Sequence, residues 1–251
     1  MNNKINLFVV TSFSIFLSGC AGDPVALSKI VKDKKAYLNQ HFAKQSVSEA
    51  VIKKLPHDDN AIVITDSRLV FETKTTSGDK TYNKKEILSF SALGDGLVQS
   101  ETEYTSNDIT TGYNFSLSYR GLNDIKWVYV SAAIGYSGMP YEIKEIIRWD
   151  NLGTKEGDVS TVDFRWGNVV QIVGYHDGQY KCTVTKLFKA NEVHSALSGQ
   201  ARELDCQTTK DGAVFLRSKY AYIVDLGFAI PIEATSANYK TEYKLVEINK
   251  P

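Results

Sequence analysis

The chain has 251 residues, with 29 basic and 29 acidic side chains and a formal net charge of zero. That balance excludes the concentrated Lys/Arg excess by which a nucleic-acid binder grips phosphates, and it offers no long-range steering of charged substrates. No nucleic-acid partner is expected.

The amino terminus runs from Lys4 through a mostly apolar stretch, Ile5 to Leu17, into small residues. The stretch is shorter than the ~20 apolar residues of a spanning helix, and a basic start, a short apolar run and small residues form a secretory signal that is removed. Its end, Leu17-Ser18-Gly19-Cys20, places a cysteine where an Ala-x-Ala site would stand. The tetrapeptide resembles the lipobox of bacterial lipoproteins. The resemblance implies that residues 1–19 are cleaved as signal peptide and that Cys20 carries a diacylglycerol, partnering the protein with a membrane through a lipid anchor. Two or three acyl chains make such an anchor durable, at ~0.8 kcal/mol for each buried methylene. Ala21 stands where Gram-negative lipoproteins kept in the inner membrane commonly carry Asp, which implies the outer membrane with the body facing the periplasm. The short lead Ala21-Gly22-Asp23 keeps that body close to the lipid.

Residues 20–58 are expected to be a helical segment. Leu27, Ile30, Val31, Tyr37, Leu38 and Phe42 recur at helical spacing within an amphipathic helix over 24–44. Ser46-Val47-Ser48-Glu49 has the form of a capping box that starts a second short helix, which Pro56 stops. The lysines of this segment either solvate a helix packed on a sheet or rest on anionic headgroups.

Residues 59–251 change to period two and predict an all-β domain. Tyr113, Phe115, Leu117 and Tyr119 alternate with Asn114, Ser116, Ser118 and Arg120. Further strands are read at 61–65, 69–74, 87–92, 97–104, 126–132, 162–166, 169–175, 180–187, 200–206, 214–218, 220–224 and 239–247. Residues 140–149 read as helix or strand, and their β-branched and aromatic content favours strand. Ser77-Gly78, Asp95-Gly96, Asp177-Gly178 and Asp211-Gly212 predict tight reversals, and Pro231 predicts a sheet edge or strand start. The fold class is mainly β: an antiparallel meandering sheet, barrel-like or sandwich, behind an N-terminal amphipathic helical segment. Residues 153–157 are the candidate break between subdomains.

Chemistry is sparse. With Cys20 acylated, Cys182 and Cys206 remain as an even pair in an oxidising compartment and are expected to form a disulfide, the alternative being two buried thiols. His41, His57, His176 and His194 show no metal-ligand spacing, so no metal and no cofactor is implied. Ser77-Gly78-Asp79-Lys80 matches Ser-x-x-Lys only formally, because it lies in a polar loop rather than at a helix start. No catalytic residue is singled out. Trp127, Trp149 and Trp166 are anchors for recognition if exposed, and core otherwise. The sequence thus predicts a non-catalytic binding or assembly module in the envelope, for an apolar ligand or an envelope protein partner. The alternative is a periplasmic hydrolase or cell-wall-modifying enzyme using acidic residues. An apolar cavity discriminates for the first, and two convergent carboxylates in a polar cleft for the second.

Overall fold

A computed structural model describes residues 24–56 and 66–249. Cys20, His57 and the strand expected at 61–65 lie outside the described residues.

Twelve strands follow one another around a closed antiparallel ring: β1 (Ser67–Ser77), β2 (Lys80–Gly94), β3 (Leu97–Ser106), β4 (Ile109–Tyr119), β5 (Asn123–Ser131), β6 (Tyr141–Trp149), β7 (Val159–Asn168), β8 (His176–Lys189), β9 (Gln200–Lys210), β10 (Ala213–Ile223), β11 (Phe228–Thr235) and β12 (Lys240–Asn249). Each strand pairs with its sequence neighbours, and β1 closes the ring on β12. Hairpin geometry drives this meander. Asp95-Gly96 and Asp211-Gly212 both take positive φ, the backbone that a two-residue reversal requires. The barrel has a mouth, where β1–β2, β3–β4, β5–β6, β7–β8, β9–β10 and β11–β12 connect, and a base at the opposite end.

Two ladders are short. β5 meets β6 only at Lys126–Glu142 and Trp127–Tyr141, and β11 meets β12 only from Glu233–Glu242 to Thr235–Lys240. Both contacts lie toward the mouth, so the wall parts toward the base into two six-stranded sheets. Pro231 lies in the part of β11 that β12 does not pair, where its missing N–H costs no ladder bond. Phe228 and Ile230 beside that opening pack with Leu69, Phe90 and Leu245, the Phe90 and Phe228 rings stacking at 4.5 Å.

The helical segment covers the other opening from outside. It is not the single helix expected over 24–44. Asp33 takes an extended backbone and its Oδ1 accepts the Ala36 N–H at 2.9 Å, dividing α1 (Leu27–Lys32) from α2 (Lys34–His41). A side chain that caps from within offers the backbone an alternative to continuing the helix. The next helix, α3 (Glu49–Ile52), is capped by Ser48 rather than Ser46. Ile30, Tyr37, Leu38 and Phe42 pack on the outer face of Phe115, Leu117, Val128 and Val130. Lys34 pairs with Glu101 at 2.8 Å, Lys126 Nζ donates to the Ser46 carbonyl at 3.0 Å, and Lys54 Nζ donates to the Ile146 carbonyl at 2.5 Å. The last two bonds tie the segment to both sides of the β5–β6 opening.

Several strands differ from expectation. Residues 169–175 form a loop, because the Gln171 amide donates to the Val173 and Gly174 carbonyls and its oxygen accepts the Asn168 N–H. Asp177-Gly178 is not a reversal but part of β8. A Cβ on Gly178 would meet the Phe164 ring at 2.5 Å, so glycine is required there for packing. The expected 214–218 and 220–224 strands are one strand, β10.

The outer wall of the barrel carries exposed charges on several strands, among them Glu72, Lys85, Lys181, Asp205 and Lys244. Charges on a lipid-facing wall would be strongly destabilising, so this wall faces water.

Candidate functional site

Strand register decides which side chains face inward. Trp127 on β5, Ile143 on β6, Phe164 and Trp166 on β7, Tyr180 on β8 and Tyr220 on β10 share the inner face. They line a half-open cavity of about 340 Å³, with Leu122, Asp124, Val162, Phe215 and Leu216 completing much of its lining. That is the lower end of the range for small-molecule sites, and the lining has their usual character, mostly apolar and aromatic with a few polar groups. Two larger depressions, of 510 and 610 Å³, are lined largely by charged and hydroxyl side chains such as Lys34, Arg68 and Glu101, or Lys74, Lys85 and Glu242.

Trp127, Tyr141 and Trp166 form one aromatic group. Trp127 lies 5.9 Å from Tyr141 and 5.6 Å from Trp166, and the Lys210 ammonium stands 5.1 Å above the Trp166 ring. Trp149 is elsewhere, edge-on to Tyr119 at 5.4 Å in the packed base. The structure therefore brings two of the three tryptophans to the cavity.

Asp124 is the acid of this cavity. Its side chain is open to the interior space, yet barrel wall surrounds it, and loss of bulk water pushes its carboxyl up to about 6 against a smaller opposing pull from a Ser116 hydrogen bond. It forms no salt bridge among the described residues. The Tyr180 hydroxyl, buried close by, approaches Tyr220 without meeting hydrogen-bond geometry and is left without a partner among the described residues. Burial raises both phenols.

A second inward acid, Glu86, sits between Phe71 and Tyr104 on neighbouring strands. Desolvation pushes it up to about 7, outweighing Lys84 and a Thr73 hydrogen bond, and Tyr104 and Tyr243 are raised by burial and then by its charge. Glu86 does not line the 340 Å³ cavity.

Cys182 and Cys206 are directly opposed on β8 and β9 and joined by a disulfide. Ser77 and Lys80 face each other across the β1–β2 reversal, and Ser77 Oγ donates to the Asn238 carbonyl. His41 lies tilted against the Tyr37 ring at 4.7 Å, and burial lowers its pKa.

Asp124, Glu86 and Tyr180 were not distinguishable in sequence as site residues. Asn123-Asp124 reads as the end of a turn, and a register shift after Leu117 is what sets Asp124 on the inner face. Lys84-Lys85-Glu86 reads as a solvated charge run. The available signal was the alternation Glu86, Leu88, Phe90, Ala92, which puts the acid on the apolar face.

The sequence matches no protein-family model and no curated protein. Three solved structures are similar to this chain at low identity. A domain named for outer membrane lipoprotein sorting, from Vibrio parahaemolyticus, gives a TM-score of 0.41 at 10% identity, over 80% of this chain and 90% of that one. A beta-barrel-like protein of the DUF1849 domain from Brucella abortus gives 0.42 at 9%, over 75% and 99%. A DUF1329 family protein from Desulfovibrio piger gives 0.39 at 11%, over 76% and 86%.

Proposed function

We propose that the protein is an outer-membrane lipoprotein, anchored through Cys20 and facing the periplasm, whose barrel is a non-catalytic binding module for a small, largely apolar ligand. The observation that carries this reading is the half-open 340 Å³ cavity with its Trp, Phe, Ile, Val and Leu lining. Burying an apolar ligand against such walls is favourable in proportion to the area removed from water. The polar end of the ligand is placed by Asp124, whose side chain opens onto the cavity. The hydrolase reading needs two carboxylates converging on one site. Asp124 and Glu86 share the interior, but only Asp124 reaches this cavity, which favours binding over hydrolysis.

The test is native mass spectrometry of the acylated protein, together with titration of an apolar naphthalene dye read by energy transfer from Trp127 and Trp166. A copurifying small molecule, or saturable one-to-one dye binding, that is lost in a cavity-filling Ile143→Trp variant is expected. A protein that carries nothing and binds no dye, or a filled variant that binds as well as the original, overturns the reading.

A further inference from the structure

The geometry points to a second membrane contact: an arc of apolar loop tips at the barrel mouth that rests in the bilayer surface and sets the protein mouth-down on the lipid. Large apolar side chains are exposed on four successive mouth connections. They are Ile109 at 70% exposure after the β3–β4 turn, Ile134 at 71% in the β5–β6 loop, Ile172 and Val173 at 82% and 75% in the β7–β8 loop, and Phe215 beside the β9–β10 turn. A group of exposed apolar residues gathered at one end of a protein marks a contact surface, whereas the same residues scattered singly would not. The two remaining mouth connections expose Asp79 between β1 and β2, and Asn238 beside Tyr239 between β11 and β12.

The position of the amino terminus selects the bilayer as the occupant. Val25 N–H donates to Ser137 Oγ at 2.9 Å, Leu27 N–H donates to the Gly135 carbonyl at 2.8 Å, and Ala26 bridges Tyr136, so the chain enters the fold on the loop that carries Ile134. Cys20 lies four residues before Pro24, a reach of about 14 Å when fully extended. An acyl chain on Cys20 therefore holds this end of the barrel, and not the base, against lipid. Exposed Lys29 and Lys32 on α1 adjoin the same loop and suit anionic headgroups. Phe215 belongs both to the arc and to the cavity lining, which places the interior next to the lipid surface. The inference rests on the anchored-lipoprotein reading for the position of Cys20, and not on ligand binding.

The experiment uses the full acylated protein in phosphatidylethanolamine–phosphatidylglycerol vesicles, with a fluorophore on a single introduced cysteine. Ile172→Cys and Ile134→Cys sample the arc, and Lys155→Cys in the β6–β7 connection samples the base. Several-fold protection of both arc labels from aqueous iodide, with quenching by nitroxide-bearing lipid, is expected, while the base label stays fully accessible to iodide. Arc labels as accessible as the base label on vesicles that do carry the protein overturn the inference and leave the anchor standing. Arc labels shielded from iodide but not quenched by lipid nitroxide also overturn it, since a protein then covers the arc. Failure of the protein to float with the vesicles overturns both the inference and the anchor.

Discussion

Asp124 and Glu86 show how a barrel interior alters single residues. Desolvation raises the first from its ordinary 3.8 to about 6 and the second from 4.5 to about 7. Both folded values exceed the unfolded ones, so the native state holds more protons between those limits and loses stability as pH rises through them. Salt-bridged acids such as Asp150, lowered first by Arg148, act in the opposite sense, so the comparison must be made against a variant. Asp124→Asn should melt at a higher temperature than the original at pH 8 and at the same temperature near pH 3, with Glu86→Gln behaving likewise. Thermal unfolding followed by circular dichroism measures this, and equal melting temperatures at pH 8 would show that the carboxylates are fully solvated. The two differ in how far sequence reaches them: Glu86 follows the apolar alternation of Leu88, Phe90 and Ala92, whereas the side of Asp124 is settled by the register shift between β4 and β5.

At the scale of elements, the disulfide joins two strands already paired, closing the β8–β9 loop across 24 positions. Replacing both Cys182 and Cys206 by Ala should cost ~3 kcal/mol of unfolding free energy in urea titration, most of it through a less constrained unfolded chain. Most strands were legible, because period-two alternation such as 113–119 survives wherever one face is packed and the other is polar. The failures share a physical cause. At Asp33 and at Gln171, one polar side chain bonds to nearby backbone and overrides a pattern carried by many apolar neighbours. The apolar run Val169-Val170-Gln171-Ile172-Val173 looked like a strand, and its Ile172 and Val173 are instead the most exposed large apolar side chains among the described residues. β11 was obscured by Pro231, which removes one ladder donor at a place where the neighbouring strand has already turned away. The cavity had no sequence signature at all, since its lining comes from strands scattered between Leu122 and Tyr220.

For the whole molecule, sequence fixed the class and left closure open: barrel and sandwich were both compatible with a meander, and pairing of the first strand with the last decides between them. Cys20→Ser, on the anchored reading, should abolish metabolic labelling with palmitate and shift the protein from the membrane to the soluble fraction on cell fractionation; continued labelling would place the acyl group elsewhere. The ring is completed by the β1–β12 ladder, which runs from Arg68 opposite Asn249 to Thr76 opposite Lys240. Synthesis therefore delivers the final stave only after the other eleven strands, and until then β1 presents a bare edge able to recruit strands from other chains. A product terminated before Lys240 would keep eleven strands and still lack a finished wall.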